Sequence, residues 1–197
     1  MLLLSDKLSS VPVMSLQTGY EIARTSTPII DPRSLNIVAF YVTGAQVEDS
    51  PAILHTEDIR EAGELGFIID DSSKLMGLDG LVRLQEIIHF GFDLMKCDVY
   101  QKSGKKIGQV SDYSFDPNSF AVQQIYAHGS LLKSFTTTSH IINRTQIISI
   151  DNRRIVVDTP DVKETATENE PASTAFVNPF RAARPQPEPV DTSDTSS

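Results

Sequence analysis

The sequence predicts a mainly all-β protein, two small β-barrels in tandem followed by a disordered tail, and three observations lead there. The first is an internal repeat: residues 18–41 align without a gap on residues 103–126, at a constant offset of 85. Gly19 matches Gly104, Ile22 matches Ile107, Asp31-Pro32 matches Asp116-Pro117, Ser34 matches Ser119 and Tyr41 matches Tyr126. A second block matches at an offset of 88, with Ile59 on Ile147, Ile68-Ile69 on Val156-Val157 and Asp70 on Asp158. Repetition of this kind is the mark of one structural unit written twice. The second observation is a succession of short apolar or β-branched segments separated by turn residues, the pattern of a small barrel. The third is a change of composition near Thr159, beyond which lie six of the eleven prolines and no glycine.

In chain order, residues 2–14 read as a strand and a turn, with Pro12 near a sheet edge because proline cannot donate to a ladder. Gly19 and Gly104 sit where tight hairpin turns need positive φ. The strand after the second turn, residues 106–115, puts Ile107, Tyr113 and Phe115 on one alternating face and Val110 on the other, with Gly108 at a bulge. Asp116-Pro117-Asn118-Ser119 is a turn by mechanism, since aspartate bonds nearby backbone and proline presets φ. Residues 120–127 return as a strand rich in β-branched and aromatic side chains. Thr56-Glu57-Asp58 suggests a capped helical turn before a closing hairpin over residues 59–69, whose counterpart is 147–157. Leu81, Leu84, Ile87 and Ile88 recur at helical spacing, so a short helix over 81–92 competes with a strand there. The expected organisation is a first barrel at 1–72, a linker at 73–92, a second barrel at 93–160 and a tail at 161–197.

Each unit of roughly 80 residues is marginal alone and gains by packing on its twin. Residues 1–98 carry 15 acidic and 7 basic side chains, residues 99–158 carry 4 and 7, and the remainder 7 and 3, giving balances of −8, +3 and −4 within the total of −9. An acidic first copy and a basic second one suit attraction across an interface between them, or a basic face offered to an acidic partner. With no long apolar run and a single cysteine, Cys97, the chain is expected to be soluble and cytoplasmic, without a transmembrane segment.

The second copy, with Lys-Ser-Gly-Lys-Lys-Ile-Gly-Gln-Val-Ser-Asp-Tyr-Ser-Phe-Asp over residues 102–116 and Ile-Ile-Asn-Arg-Thr-Gln-Ile-Ile-Ser-Ile-Asp-Asn-Arg-Arg-Ile-Val-Val-Asp over 141–158, resembles the PRC-barrel family. Gly104, Gly108, Val110, Asp112, Gln146 and Ile147 carry the likeness, which covers residues 93–158. The first copy has Ala23 in place of Gly108 and Thr25 in place of Val110, and is reached through the repeat. The family includes a domain of the photosynthetic reaction-centre H subunit, the C-terminal domain of a ribosome maturation factor and many small bacterial and archaeal proteins. The resemblance implies a protein-docking module with no catalytic residues to carry over.

The chemistry legible in the residues agrees with that expectation. His55, His89, His128 and His140 are far apart, Cys97 stands alone, and no phosphate-cradling or nucleophile motif occurs, so no cofactor, metal or catalytic site is expected. Glu57-Asp58 and Asp70-Asp71 are adjacent in sequence, and adjacent strand residues face opposite ways. Two surfaces remain. The tail island at 175–184 offers Phe176, Asn178, Pro179, Phe180 and Arg181 as anchors for a protein partner, with residues 131–139 as a second contact loop. Lys105, Lys106, Arg144, Arg153 and Arg154, near hairpin ends of the second copy, form a candidate basic patch. The leading expectation is a non-enzymatic adaptor. Ribosome-assembly binding of RNA and protein, or a peripheral place in a membrane complex, are the alternatives. Deleting residues 161–197 is expected to leave the melting midpoint unchanged, measured by circular dichroism, and to remove a partner that the full-length chain captures.

Overall fold

In the computed structural model the described residues are 1–44, 51–79, 81–129 and 139–158. The first copy supplies β2 (Pro12–Ser15), β3 (Glu21–Asp31), β4 (Asn36–Thr43), β5 (Ala52–His55), β6 (Glu61–Gly63) and β7 (Gly66–Ile69), preceded by a short β1 (Leu3–Leu4). The connection holds β8 (Leu75–Gly77) and helix α1 (Val82–Phe90). The second copy repeats the set as β9 (Asp98–Gln101), β10 (Lys106–Asp116), β11 (Ala121–His128), β12 (Ser139–Asn143), β13 (Ile147–Ile150) and β14 (Arg154–Val157).

The copies share one topology. Strands run β6-β7-β2-β3-β4-β5 in the first half and β13-β14-β9-β10-β11-β12 in the second. In each, one parallel pairing, β2 with β7 or β9 with β14, sits among antiparallel ones. Even a ladder irregularity recurs, between Ile29 and Ile30 against β4 and between Ser114 and Phe115 against β11, again 85 residues apart. The protein is mainly β, as expected. Its strands form a single 14-stranded sheet, and no pairing among the described residues closes either half into the expected barrel. The two halves belong to one compact unit.

The halves join where β4 meets β11. Ile37 N–H donates to the Phe120 carbonyl and Val122 N–H donates to the Leu35 carbonyl, both at 2.9 Å. Ile37 and Val122 are equivalent residues, as are Leu35 and Phe120, so exchanging the halves maps this pair of bonds onto itself. That is a local twofold relation. Leu35 and Phe120 both adopt positive φ, 50° and 54°, which closes each Asp-Pro turn by an N–H donated to the Asp31 or Asp116 carbonyl at 2.7 and 2.8 Å. A left-handed conformation costs a non-glycine residue roughly 1–2 kcal/mol, whereas burying a large apolar side chain contributes about 1.5–3 kcal/mol. Both side chains are buried, and Phe120 enters a triangle of rings with Phe40 and Phe67 of the other half, at centroid distances of 5.2 to 6.0 Å. One apolar core therefore runs through both halves, from Val13, Ile37 and Ile69 to Val99, Ile125 and Ile155.

Several local expectations change in detail. Pro12 opens β2, which lies inside the sheet between β3 and β7; as the first residue of its strand, proline is tolerated there. Val110 lies on the core side with Tyr113 and Phe115, because a bulge between Val110 and Asp112 resets the alternation. Gly108 stands where a Cβ would come within 2.1 Å of the His128 carbonyl oxygen, so close approach of backbone fixes its identity. Between helix and strand over 81–92, the helix prevails. Leu84 of α1 is buried against Ile29, Ala39 and Ile53 on the outer face of the first half, which Leu78, Leu81, Ile87 and Ile88 also cover.

No second helix among the described residues corresponds to α1, and the equivalent positions of the second half are more polar. Register places Ser114 where Ile29 stands and Gln124 where Ala39 stands. These polar groups satisfy one another, with the Tyr126 hydroxyl donating to Gln124 Oε1 at 3.2 Å and Ser114 Oγ at 3.5 Å from the same oxygen. Replacing Phe120 by alanine is expected to cost about 3–5 kcal/mol of unfolding free energy, because it empties the ring cluster that ties the halves. Denaturant titration monitored by circular dichroism measures it.

Candidate functional site

The basic residues singled out from the sequence divide into two groups. Lys105, Lys106, Arg153 and Arg154 gather around β9, where Lys106 Nζ lies 2.7 Å from an Asp98 carboxylate oxygen and the Arg154 guanidinium stacks 4.2 Å from the centre of the Tyr100 ring. The Gln101 N–H bonds the Lys105 carbonyl and the Asp98 N–H bonds the Arg153 carbonyl, which fixes both hairpin ends beside that strand. Asp98 thus sits inside the patch and offsets part of its charge. Arg144 turns to the crossing between the halves. Its guanidinium donates to the Ser34 carbonyl and, at 3.4 Å, to Asn36 Oδ1, both in the first half. The equivalent Thr56 bonds the Ile37 and Val38 carbonyls within its own half, at 3.2 and 3.1 Å. Arg144 is therefore a clamp between copies.

The paired carboxylates serve the fold. Asp70 receives two hydrogen bonds from Arg60, both at 2.9 Å, and this partner holds its carboxyl below the usual carboxylate range. Asp71 accepts the Ser73 N–H at 2.8 Å and caps a short 3-10 turn, Ser72–Lys74. Asp58 pairs with Lys74 at 3.0 Å. Cys97 is buried, and burial, reinforced by Asp93 and Asp98, pushes its thiol up to about 12. A thiol held protonated in that way is a packing group rather than a nucleophile. Among the described residues no three His, Cys, Asp or Glu side chains gather as a metal site requires. No helix among them is long and apolar enough to cross a membrane.

Two features escape the sequence reading. The first is the outer edge of β12. In the first half the equivalent strand, β5, is covered by β8 in antiparallel register, with Ala52 opposite Gly77, Ile53 opposite Met76 and Leu54 opposite Leu75. Following the register through β4 and β11, His140, Ile141 and Ile142 occupy the places of Ala52, Ile53 and Leu54. No described strand pairs with that edge of β12. Ile53 is fully buried, whereas Ile141 is 63% exposed. The second feature is a cleft of about 310 Å³ where β3, α1 and the turns preceding β2 and β9 meet, lined by Leu8, Ile29, Ile88, Phe92, Met95 and Tyr113 among others.

Phe176, Asn178, Pro179, Phe180 and Arg181 lie outside the described residues, as do positions 131–138 of the contact loop. Arg144→Ala is expected to lower unfolding free energy by about 2 kcal/mol, the scale of lost hydrogen bonds from a charged donor; a thermal melt read alongside Arg153→Ala, with little change expected there, measures it. Against known proteins, no protein-family model matches the chain and no curated protein matches it.

Proposed function

We propose that the protein is a non-enzymatic docking module of the PRC-barrel kind, an adaptor that receives a partner protein as an extended strand on the free edge of β12. The observation that carries this reading is internal: the same edge in the first half is occupied by β8, a segment of the chain itself. Duplication has left one edge filled and its twin open among the described residues. Strand addition draws affinity from main-chain hydrogen bonds and specificity from alternate side chains. Leu75 packs on the core beside its neighbour Leu54, so the incoming strand needs an apolar residue opposite Ile142. An edge with an exposed isoleucine and no lysine or proline lacks the devices that normally keep strands apart. The tail island, with Phe176 and Phe180, is the second recruiting element in this reading.

The ribosomal alternative gains less support. It rests on cations at the hairpin ends, and of these Lys106 is paired with Asp98 and Arg144 is spent on the crossing.

A synthetic peptide copying residues 73–79, Ser-Lys-Leu-Met-Gly-Leu-Asp, is the natural probe. With the full-length chain it is expected to slow amide hydrogen exchange at residues 140–142, and Ile141→Lys is expected to abolish that protection while leaving the melting midpoint within about 2 °C. Protection confined to other strands, or unchanged in Ile141→Lys, would count against docking at β12.

A further inference from the structure

Tyr113 lies at the back of the cleft beside α1, and its surroundings are unusual for a core tyrosine. The residue is 2% exposed and packs in the main core. Its backbone N–H bonds Asp112 Oδ1 at 2.7 Å, but its hydroxyl makes no hydrogen bond to any described residue. No fully buried side-chain oxygen or nitrogen lacks a partner among those residues, so the hydroxyl keeps some accessible surface, and Tyr113 lines the cleft. Buried tyrosine hydroxyls ordinarily find a partner in the protein. Here the partner position opens onto the cleft.

The rest of the wall is mainly apolar. Ile29 and Ile30 of β3, Ile87 and Ile88 of α1, and Phe92, Leu94 and Met95 after it surround the space. Ser26, Thr27 and Pro28 also line it, where the ladder of β3 on β4 shifts register between Thr25 and Pro28 and Ser26 Oγ donates to the Tyr41 carbonyl at 3.1 Å. The volume of about 310 Å³ falls at the lower end of the roughly 300–1,000 Å³ typical of small-molecule sites. Among the described residues, Asp93 is the one charged residue on the wall. Burial raises the ionisation range of the Tyr113 phenol, and the negative charges of Asp112 and Asp93 raise it further, so the potential at the hydroxyl is negative. Asp112 is committed to Ser5 Oγ at 2.6 Å and to the Tyr113 N–H. Asp93 is engaged by the Met95 N–H and by Lys96 Nζ at 2.8 Å, and the Lys96 side chain is 74% exposed, so a ligand cation can displace it at little cost.

We propose that this cleft binds a small arylalkyl amine, with its ring and chain among Ile29, Ile88, Phe92 and Met95 and its ammonium donating to the Tyr113 hydroxyl and the Asp93 carboxylate. The site uses neither the edge of β12 nor the tail, so it stands or falls independently of partner docking.

The test compares 4-phenylbutylamine with 4-phenylbutyrate, which shares the apolar body and reverses the head-group charge, on the full-length chain carrying isotope-labelled methyl groups. The amine is expected to give saturable shifts at Ile29, Ile88 and Met95 and to bind at least tenfold more tightly than the acid. Tyr113→Phe, which keeps the ring and removes only a hydroxyl without a partner among the described residues, is expected to weaken the amine about five- to tenfold with the melting midpoint unchanged or raised. Asp93→Asn is expected to remove the preference for amine over acid. Equal affinity for the two head groups, undiminished amine binding by Tyr113→Phe, or no saturable shift at millimolar amine would each overturn the proposal.

Discussion

Two hydrogen bonds between equivalent residues hold this architecture together. Ile37 and Val122 each donate across the junction to the carbonyl of a residue held at positive φ, and the geometry of one bond implies the other. The strain at Leu35 and Phe120 is accepted because the same backbone turn drives both side chains into the shared core. A separate closed barrel for each copy would have to bury the Asp-Pro turn of that copy against itself. Here each turn meets its counterpart, and β4 continues into β11 as one sheet. Arg144 reinforces the junction from the second copy, where the first has only the shorter Thr56 at the corresponding place.

Duplication normally produces two similar faces, and divergence then gives them different tasks. In the first copy Ile29, Ala39 and Ile53 make an apolar outer face that α1 and the segment around Leu78 cover. The second copy answers with Ser114 and Gln124 in place of Ile29 and Ala39, hydrogen-bonded to one another and to Tyr126, and keeps an apolar residue, Ile141, in place of Ile53. That exchange lowers the apolar area of the face, while Ile141 remains exposed on it. Among the described residues β12 is an edge strand, and its filled counterpart, β5 under β8, lies in the same molecule. In the first copy β8 on β5 fixes one register, with Leu75 opposite Leu54 on the core.

Much of the fold was legible in the sequence because repeats and turns are local signals. The gapless match of residues 18–41 to 103–126 anticipated paired hairpins, and Gly19, Gly104, Asp31 and Asp116 marked turns that the structure contains. Leu84, Ile87 and Ile88 offered the helix through their spacing, with a strand as the competing reading that the structure rejects. The junction was not legible, since nothing in the side chains of Leu35 or Phe120 announces a left-handed backbone. Arg144 reads in sequence as one more surface cation, and only the register of β4 against β11 shows that it reaches Ser34. The cleft escaped for a related reason: its wall is drawn from separated segments, and a tyrosine in an alternating strand reads simply as core.

The most direct test of the account is native-state hydrogen exchange at the Ile37 and Val122 amides of the full-length chain, as denaturant is raised in small steps. If the copies form one cooperative body, both amides exchange only through global unfolding, with the same free energy as the core amides of Val13 and Val99. Exchange of Ile37 and Val122 at a markedly lower free energy, with Val13 and Val99 still protected in their separate halves, would contradict it.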